Sequence, residues 1–150
     1  CRPQPAPPVM VSVIINPVSG GVSPARGRAR ATSAAQALSR AGLRDWEVLL
    51  TERRGHAREL ADAAVRRGDT LVIAWGGDGT VNEVGSALVG STTRLGIVPS
   101  GSGNGLAREL GLPGRPDAAI TAALRSTGRA IDVGKLGGRW FFSVAGIGFD

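Results

Sequence analysis

Short apolar runs alternate along the chain with longer segments in which apolar residues recur at helical spacing. The apolar runs are rich in β-branched residues and are bounded by glycine, proline or polar residues, which is typical of buried strands. They predict four strands, at residues 9–16, 46–50, 70–75 and 95–98. The intervening segments predict five helices, at residues 24–41, 55–67, 80–88, 104–110 and 116–127.

Four alternations of strand and helix predict an α/β fold, with three layers in which a mostly parallel sheet is flanked by helices. In sheets of this kind, ligands bind outside the carboxyl ends of the strands. Two further apolar runs, at 131–136 and 139–144, flank Gly137 and Gly138 and predict a hairpin.

The ends of the chain differ in composition from the alternating part. Residues 1–8 are rich in proline and predict a disordered tail. Residues 9–138 form the predicted nucleotide-binding α/β domain. The stretch 139–150 ends among apolar residues and glycines, so we interpret it as the start of a second, C-terminal β domain whose remainder is missing.

The net charge of the chain favours anionic ligands but does not select one class of function. The chain carries 18 Lys and Arg against 12 Asp and Glu, for a net charge of +6. Such a surface suits phosphate ligands, anionic lipids or nucleic acid. However, Lys135 is the only lysine, and a coding bias toward arginine, alanine and glycine explains the excess equally well.

The cysteine count and the hydropathy pattern each exclude a kind of structure. The single cysteine, Cys1, excludes an internal disulfide and a cysteine-based metal site. No apolar run approaches the roughly 20 residues that a membrane-spanning helix needs. We therefore expect any membrane contact of this chain to be peripheral.

Three glycine-bearing loops follow three of the predicted strands. They are NPVSGG at 16–21, GGDGT at 76–80 and PSGSGN at 99–104. Parallel strands bring such loops to one edge of the sheet, where backbone N–H groups and helix N-termini bind anions. The loops together predict a phosphate cradle, although none matches the P-loop pattern GxxxxGK[ST].

Asp78 is the strongest single candidate, because it lies among three glycines directly after a buried strand. Its carboxylate suits either Mg²⁺ on nucleotide phosphates or a general base for an attacking hydroxyl. The alternative is a structural role as an Asx-turn or helix cap. Thr80 and Glu83 predict a capping box at the start of the next helix.

Other polar residues near the loops are weaker candidates. Asn16, Ser19 and Thr51 end strands or follow them, and each suits hydrogen bonding to a nucleotide. Ser102 and Asn104 suit phosphate, with Asn104 equally suited to an N-cap. The remaining candidates have open alternatives. Asn82 is a nucleotide contact or a solvated residue, and Trp75 is a wall of the site or a packed residue. His56 is expected to be a cap or surface residue rather than a base, and at most one or two of Arg26, Arg28 and Arg30 are phosphate contacts.

The motifs together resemble one family. GGDGTVNEV resembles the GGDGT motif of diacylglycerol kinases, sphingosine kinases and NAD kinases. NPVSGG, TERRGHA and PSGSGNGLAREL are similar to the NPxSG, TxxxGHA and PxGTxNxxAR segments of diacylglycerol kinases, with Ser102 in place of the threonine. WFFSVAGIGFD is similar to the segment that leads into their second domain.

This resemblance implies an ATP-binding domain of a lipid kinase that uses Mg²⁺. In sphingosine kinases the aspartate matching Asp78 is assigned as the base, and an acidic substrate-binding residue falls at the position of Asp150. With the loop residues added, the implied nucleotide contacts are Asn16, Ser19, Gly20, Thr51, Gly76, Gly77, Asp78, Gly79, Thr80, Asn82, Ser102 and Asn104.

The sequence thus predicts a transferase that moves the ATP γ-phosphoryl group to the hydroxyl of diacylglycerol or a sphingoid lipid. We expect Asp78 to be the catalytic and metal-binding residue, and the 150-residue chain to be catalytically incomplete alone. The expected location is cytoplasmic, at a membrane surface, without nucleic acid as a partner and with a homodimer left open. The alternatives are an NAD kinase and a nucleotide-binding regulatory module without catalysis.

Overall fold

The computed structural model describes residues 10–21 and 23–142. The predicted tail at 1–8 and the final segment 143–150, which includes Asp150, lie outside the described residues. The described elements, in chain order, are β1 (Met10–Ile15), α1 (Pro24–Arg40), β2 (Asp45–Leu50), α2 (His56–Arg67), β3 (Leu71–Gly76), α3 (Asp78–Leu88), β4 (Arg94–Pro99), α4 (Gly105–Glu109), α5 (Pro116–Arg125), β5 (Gly134–Leu136) and β6 (Arg139–Phe141).

The first four strands form one parallel sheet in the order β2-β1-β3-β4. Val13 of β1 pairs with Val48 on one side and with Ile73 on the other. Because β2 and β3 lie on opposite sides of β1, the chain reverses its direction across the sheet between β1 and β3. A reversal of this kind opens a crevice at the carboxyl ends of the strands, where ligands of α/β sheets bind.

Helices cover both faces of this sheet, as predicted. On one face, alternate strand residues such as Ile14 and Val72 pack against α2 and α3. On the other face, residues such as Val13 and Ile73 pack against α1 and α5. The two apolar clusters make the sheet the middle of three layers, so the predicted α/β architecture is confirmed.

The predicted hairpin is confirmed in shorter form. β5 and β6 pair antiparallel over three residues each, from Gly134 opposite Phe141 to Leu136 opposite Arg139. Gly137 and Gly138 join them with φ of 57° and 78°, in the left-handed region that a two-residue hairpin turn requires. The hairpin spans the predicted domain boundary between residues 138 and 139, and that boundary stays a prediction.

Candidate functional site

The three glycine loops lie together at the carboxyl edge of the sheet and are joined by side-chain hydrogen bonds. Asn16 Nδ2 donates to Thr80 Oγ1 at 3.3 Å, which links the loop after β1 to the start of α3. The hydroxyls of Ser19 and Ser100 lie 2.6 Å apart, which links that loop to the one after β4. These bonds gather the residues that the sequence predicted as a phosphate cradle.

Two of the loops approach each other backbone to backbone. A Cβ atom added to Gly101 would lie 2.6 Å from the Cα of Gly77, and one added to Gly77 would lie 3.2 Å from the Cα of Gly101. Contacts below 3.0 Å are not tolerated by a real Cβ, so this approach requires glycine at Gly101. The close contact leaves backbone groups of both loops at the same edge.

Asp78 is exposed and is the first residue of α3. Its Oδ1 accepts a hydrogen bond of 2.8 Å from the N–H of Gly105, the first residue of α4. Within the described residues, Oδ2 has no hydrogen-bond donor, and Gly103 lies beside it without a side chain. Asp78 therefore caps a neighbouring helix with one oxygen and presents the other to the site.

The predicted capping box at Thr80 and Glu83 is wrong. Gly77 takes the cap position with an extended backbone, so α3 begins at Asp78, two residues earlier than expected. Thr80 consequently lies inside the first turn, where its buried side chain packs against Gly76 and its hydroxyl accepts from Asn16. The Glu83 carboxylate instead accepts from Gly55 N–H at 3.0 Å and ties the loop after β2 to α3.

The loop after β2 contains Thr51 and borders the site. Thr51 N–H donates to Ile15 O at 2.9 Å, which keeps the residue beside the end of β1. His56, the first residue of α2, accepts from Glu52 N–H through Nδ1 at 3.0 Å, so it closes the loop.

An exposed ion pair lies next to this loop. Arg53 donates to both carboxylate oxygens of Glu59, at 2.9 and 2.6 Å. These hydrogen bonds lower the pKa of the Glu59 carboxyl. Because both side chains face solvent, the pair contributes little to stability.

Asn104 shapes the third loop. Its Oδ1 accepts from Gly101 N–H and its Nδ2 donates to Gly101 O, both at 2.8 Å. The residue occupies the N-cap position of α4 in a left-handed conformation, with φ of 54°, but its side chain caps no helical N–H. Ser102 is exposed on the same loop, and Asn82 is half-buried on α3.

The structure also brings in residues that the sequence did not mark individually. Ser100, Gly101 and Gly105 take part in the contacts between loops. Their partners lie far away in the sequence, 81 positions in the case of Ser19 and Ser100, so no local pattern marks them. Arg30, one of the three arginines that the sequence offered as phosphate contacts, bonds through its side chain to the loop after β1. Trp75 is 3% exposed and packs in the core, which settles its open alternative in favour of packing.

Three further observations concern metals, membranes and clefts. Across residues 10–21 and 23–142, no group of three or more His, Cys, Asp and Glu side chains is arranged to hold a metal ion. Among the same residues, no helix combines the length and apolar character needed to cross a membrane. An apolar cleft of about 800 Å³ lies beside β4, between α3 and the segment that leads into β5.

The fold and this edge define an α/β protein with a parallel sheet and a glycine-loop site at the carboxyl ends of its strands. The sequence profile described as "Diacylglycerol kinase catalytic domain" matches residues 10–136. The chain belongs to that family.

Individual relatives agree with the family. A "Probable lipid kinase YegS-like" of Chromohalobacter salexigens is 47% identical over 97 residues, covering 62% of this chain and 30% of the relative. A "Diacylglycerol kinase" of Mycobacterium tuberculosis is 41% identical over 100 residues, covering 63% of this chain and 32% of the relative. A crystal structure of a diacylglycerol kinase from Bacillus anthracis superposes with a TM-score of 0.74 at 29% identity, covering 88% of this chain and 45% of that one. The chain thus spans less than half the length of each of these relatives.

Proposed function

We propose that this chain is the ATP-binding part of a lipid kinase that transfers the γ-phosphoryl group of ATP to a lipid hydroxyl. The observation that carries the proposal is the convergence of three glycine loops around the exposed Asp78 carboxylate, in a chain of the diacylglycerol kinase catalytic domain family. Backbone N–H groups in such loops stabilise the negative charge of transferring phosphates.

The proposed nucleotide contacts are the residues that form these loops and their borders. Glycines allow the phosphates to approach the backbone, and the hydroxyl and amide side chains donate hydrogen bonds. They are Asn16, Ser19, Gly20, Thr51, Gly76, Gly77, Asp78, Gly79, Thr80, Asn82, Ser102 and Asn104. Thr80 and Gly76 are buried, so we propose that they act through the shape of the loop.

Asp78 fits a magnesium site, because Mg²⁺ in kinases is held by one or two carboxylates together with phosphate oxygens and water. Its Oδ2 has no donor among the described residues and faces the side-chain-free Gly103. When bound, Mg²⁺ would neutralise charge on the phosphate oxygens.

We also propose Asp78 as the base of the reaction. Transfer breaks the bond between the γ-phosphorus and its bridging oxygen and forms a bond from that phosphorus to the acceptor oxygen, while the acceptor proton passes to the carboxylate.

The acceptor is proposed to be diacylglycerol or a sphingoid lipid at a membrane surface in the cytoplasm. The names of the relatives support a lipid acceptor, and the net charge of +6 favours contact with anionic lipid. Asp150 is the proposed lipid contact, and homodimerisation stays open. Turnover by these 150 residues alone is expected to be negligible, since Asp78 stands without a second carboxylate cluster in the described part of the chain.

The test is transfer of labelled phosphate from ATP onto vesicles that contain diacylglycerol or sphingosine, with NAD as a parallel acceptor. The chain is assayed alone and as a chimaera in which the B. anthracis diacylglycerol kinase supplies its own residues beyond the matched region. We expect transfer to lipid by the chimaera only. Transfer to NAD and to no lipid would replace this proposal with an NAD kinase. Nucleotide binding without transfer to either acceptor would favour a regulatory module.

A further inference from the structure

Arg30 of α1 reaches back to the loop of residues 16–21, which we term the β1–α1 loop. Its Nη1 donates to Asn16 O at 3.0 Å and to Ser19 Oγ at 2.8 Å. Its Nη2 donates to Ser19 O at 3.1 Å. One guanidinium therefore holds both ends of a four-residue stretch, with the planar fork of donors that only arginine provides.

The effect of this contact extends to the neighbouring loop through Ser19. The Ser19 hydroxyl that accepts from Arg30 also donates or accepts at 2.6 Å with the Ser100 hydroxyl after β4. Asn16, whose carbonyl accepts from the same guanidinium, contacts Thr80 on α3 through its side chain. Arg30 thus touches the two residues through which the β1–α1 loop bonds to the other two loops.

The positive charge of Arg30 is partly withdrawn from water at this site. The guanidinium lies over the ring of buried Trp75, 5.8 Å from its centroid. Among the described residues its hydrogen-bond partners are neutral oxygens, with no carboxylate. Burial and then the charge of Arg26 lower the pKa of Arg30. An anion beside this loop would compensate the charge.

We propose that Arg30 is a positioning residue that holds the β1–α1 loop in the shape that receives phosphate. The identity of the ligand as a nucleotide rests on the proposed function, whereas the hold on the loop does not. Arg28 provides a comparison, because it is exposed on the same helix and makes no side-chain hydrogen bond to any described residue.

The experiment compares Arg30→Lys and Arg30→Gln with the control Arg28→Gln. Amide hydrogen exchange is followed at Val18 and Gly21, whose N–H groups bond within the loop. Calorimetry gives the affinity for Mg-ATP. We expect both Arg30 variants to speed exchange at these amides and to lower the affinity for Mg-ATP by about tenfold, because neither the lysine ammonium nor the glutamine amide reproduces the fork of donors. Arg28→Gln should leave both measurements as in the wild type, and exchange at β3 amides should not change in any variant.

Four results would overturn this inference. They are wild-type exchange and affinity in Arg30→Lys, an equal loss in Arg28→Gln, unchanged loop exchange in both Arg30 variants, and a matching rise of exchange in β3, which would show a general effect on stability. If the wild-type chain binds no nucleotide while the loop exchange changes as expected, the proposed function fails and the role of Arg30 in ordering the loop stands.

Discussion

The Asp78 carboxylate has two oxygens in different surroundings, and this division makes its roles separable. Oδ1 accepts from Gly105 N–H, and Oδ2 faces the site. The sequence predicted either a structural role or a role in metal binding and catalysis for this residue. The contact with α4 was not predicted, since Asp78 and Gly105 are 27 positions apart. A substitution that keeps the accepting oxygen and removes the charge tests the role in metal binding separately from the structural role.

Asp78→Asn is that substitution. Its amide oxygen can still accept from Gly105 N–H, so we expect the free energy of unfolding to change by less than about 1 kcal/mol. The affinity for Mg-ATP should fall by about tenfold or more, and the affinity for ATP without Mg²⁺ should fall little, because the lost charge serves the metal. Calorimetry with and without Mg²⁺ measures both, and the exposed Asp117 of α5 provides the control Asp117→Asn. Equal affinities with Mg²⁺ in the wild type and Asp78→Asn would remove Asp78 from the metal site.

The observed helices and strands show which elements the sequence pattern could predict and which contacts it could not. The apolar runs predicted the sheet strands to within about a residue at most ends, because burial on both faces dictates continuous apolar sequence. The start of α3 was missed, since T-x-x-E is a common capping pattern and the extended backbone of Gly77 overrides it. Bonds between loops, such as Glu83 to Gly55, depend on the packing of α2 against α3 and leave no trace in local spacing.

Two glycines, Gly76 at the end of β3 and Gly79 in the first turn of α3, allow packing and ligand approach to be tested separately. A Cβ at Gly76 would lie 2.4 Å from Thr80 Oγ1, while one at Gly79 meets nothing within 4 Å. We expect Gly76→Ala to lower the free energy of unfolding by about 1–3 kcal/mol through overpacking. Gly79→Ala should leave stability unchanged or raise it by up to about 1 kcal/mol, because alanine favours helix.

The same two variants also test whether the nucleotide approaches the backbone at Gly79. Its added methyl group would stand in the open space next to Asp78, where we propose that phosphate lies, so Mg-ATP should bind more weakly to Gly79→Ala than to the wild type. Thermal unfolding and calorimetry on both variants check the pair. Full nucleotide affinity in a stable Gly79→Ala variant would show that the ligand does not approach the backbone there.

The two ends of the parallel strands differ in the residues that they carry. The glycine loops lie at the carboxyl ends, which form the carboxyl edge of the sheet. Toward the other edge, Arg67 binds Asp69 at 2.8 Å and Glu47 at 2.7 Å, and the Ser12 hydroxyl donates to Asp69 at 2.6 Å. The hydrogen bond to Asp69 is the main cause that raises the pKa of Arg67. This network joins β1, β2 and the segment before β3, so we interpret that edge as structural.

The amino-terminal edge also carries a cleft of about 460 Å³ that is lined by Leu43, Arg94 and Arg125 among others. Its basic residues make this cleft the alternative site for an anionic ligand, although it has no glycine loop. Net charge cannot distinguish the two places, whereas the backbone geometry of the loops favours the carboxyl edge.

We propose that nucleotide binds at the carboxyl ends of the strands, and a map of amide chemical shifts in the isotope-labelled chain during titration with Mg-ATP measures where it binds. We expect the largest shifts in residues 16–21, 76–80 and 100–105, with a smaller group at 51–55. Saturation should depend on Mg²⁺. Shifts centred on Leu43, Arg94 and Arg125, or no shifts at all in a folded chain, would show that the nucleotide site is not at these loops.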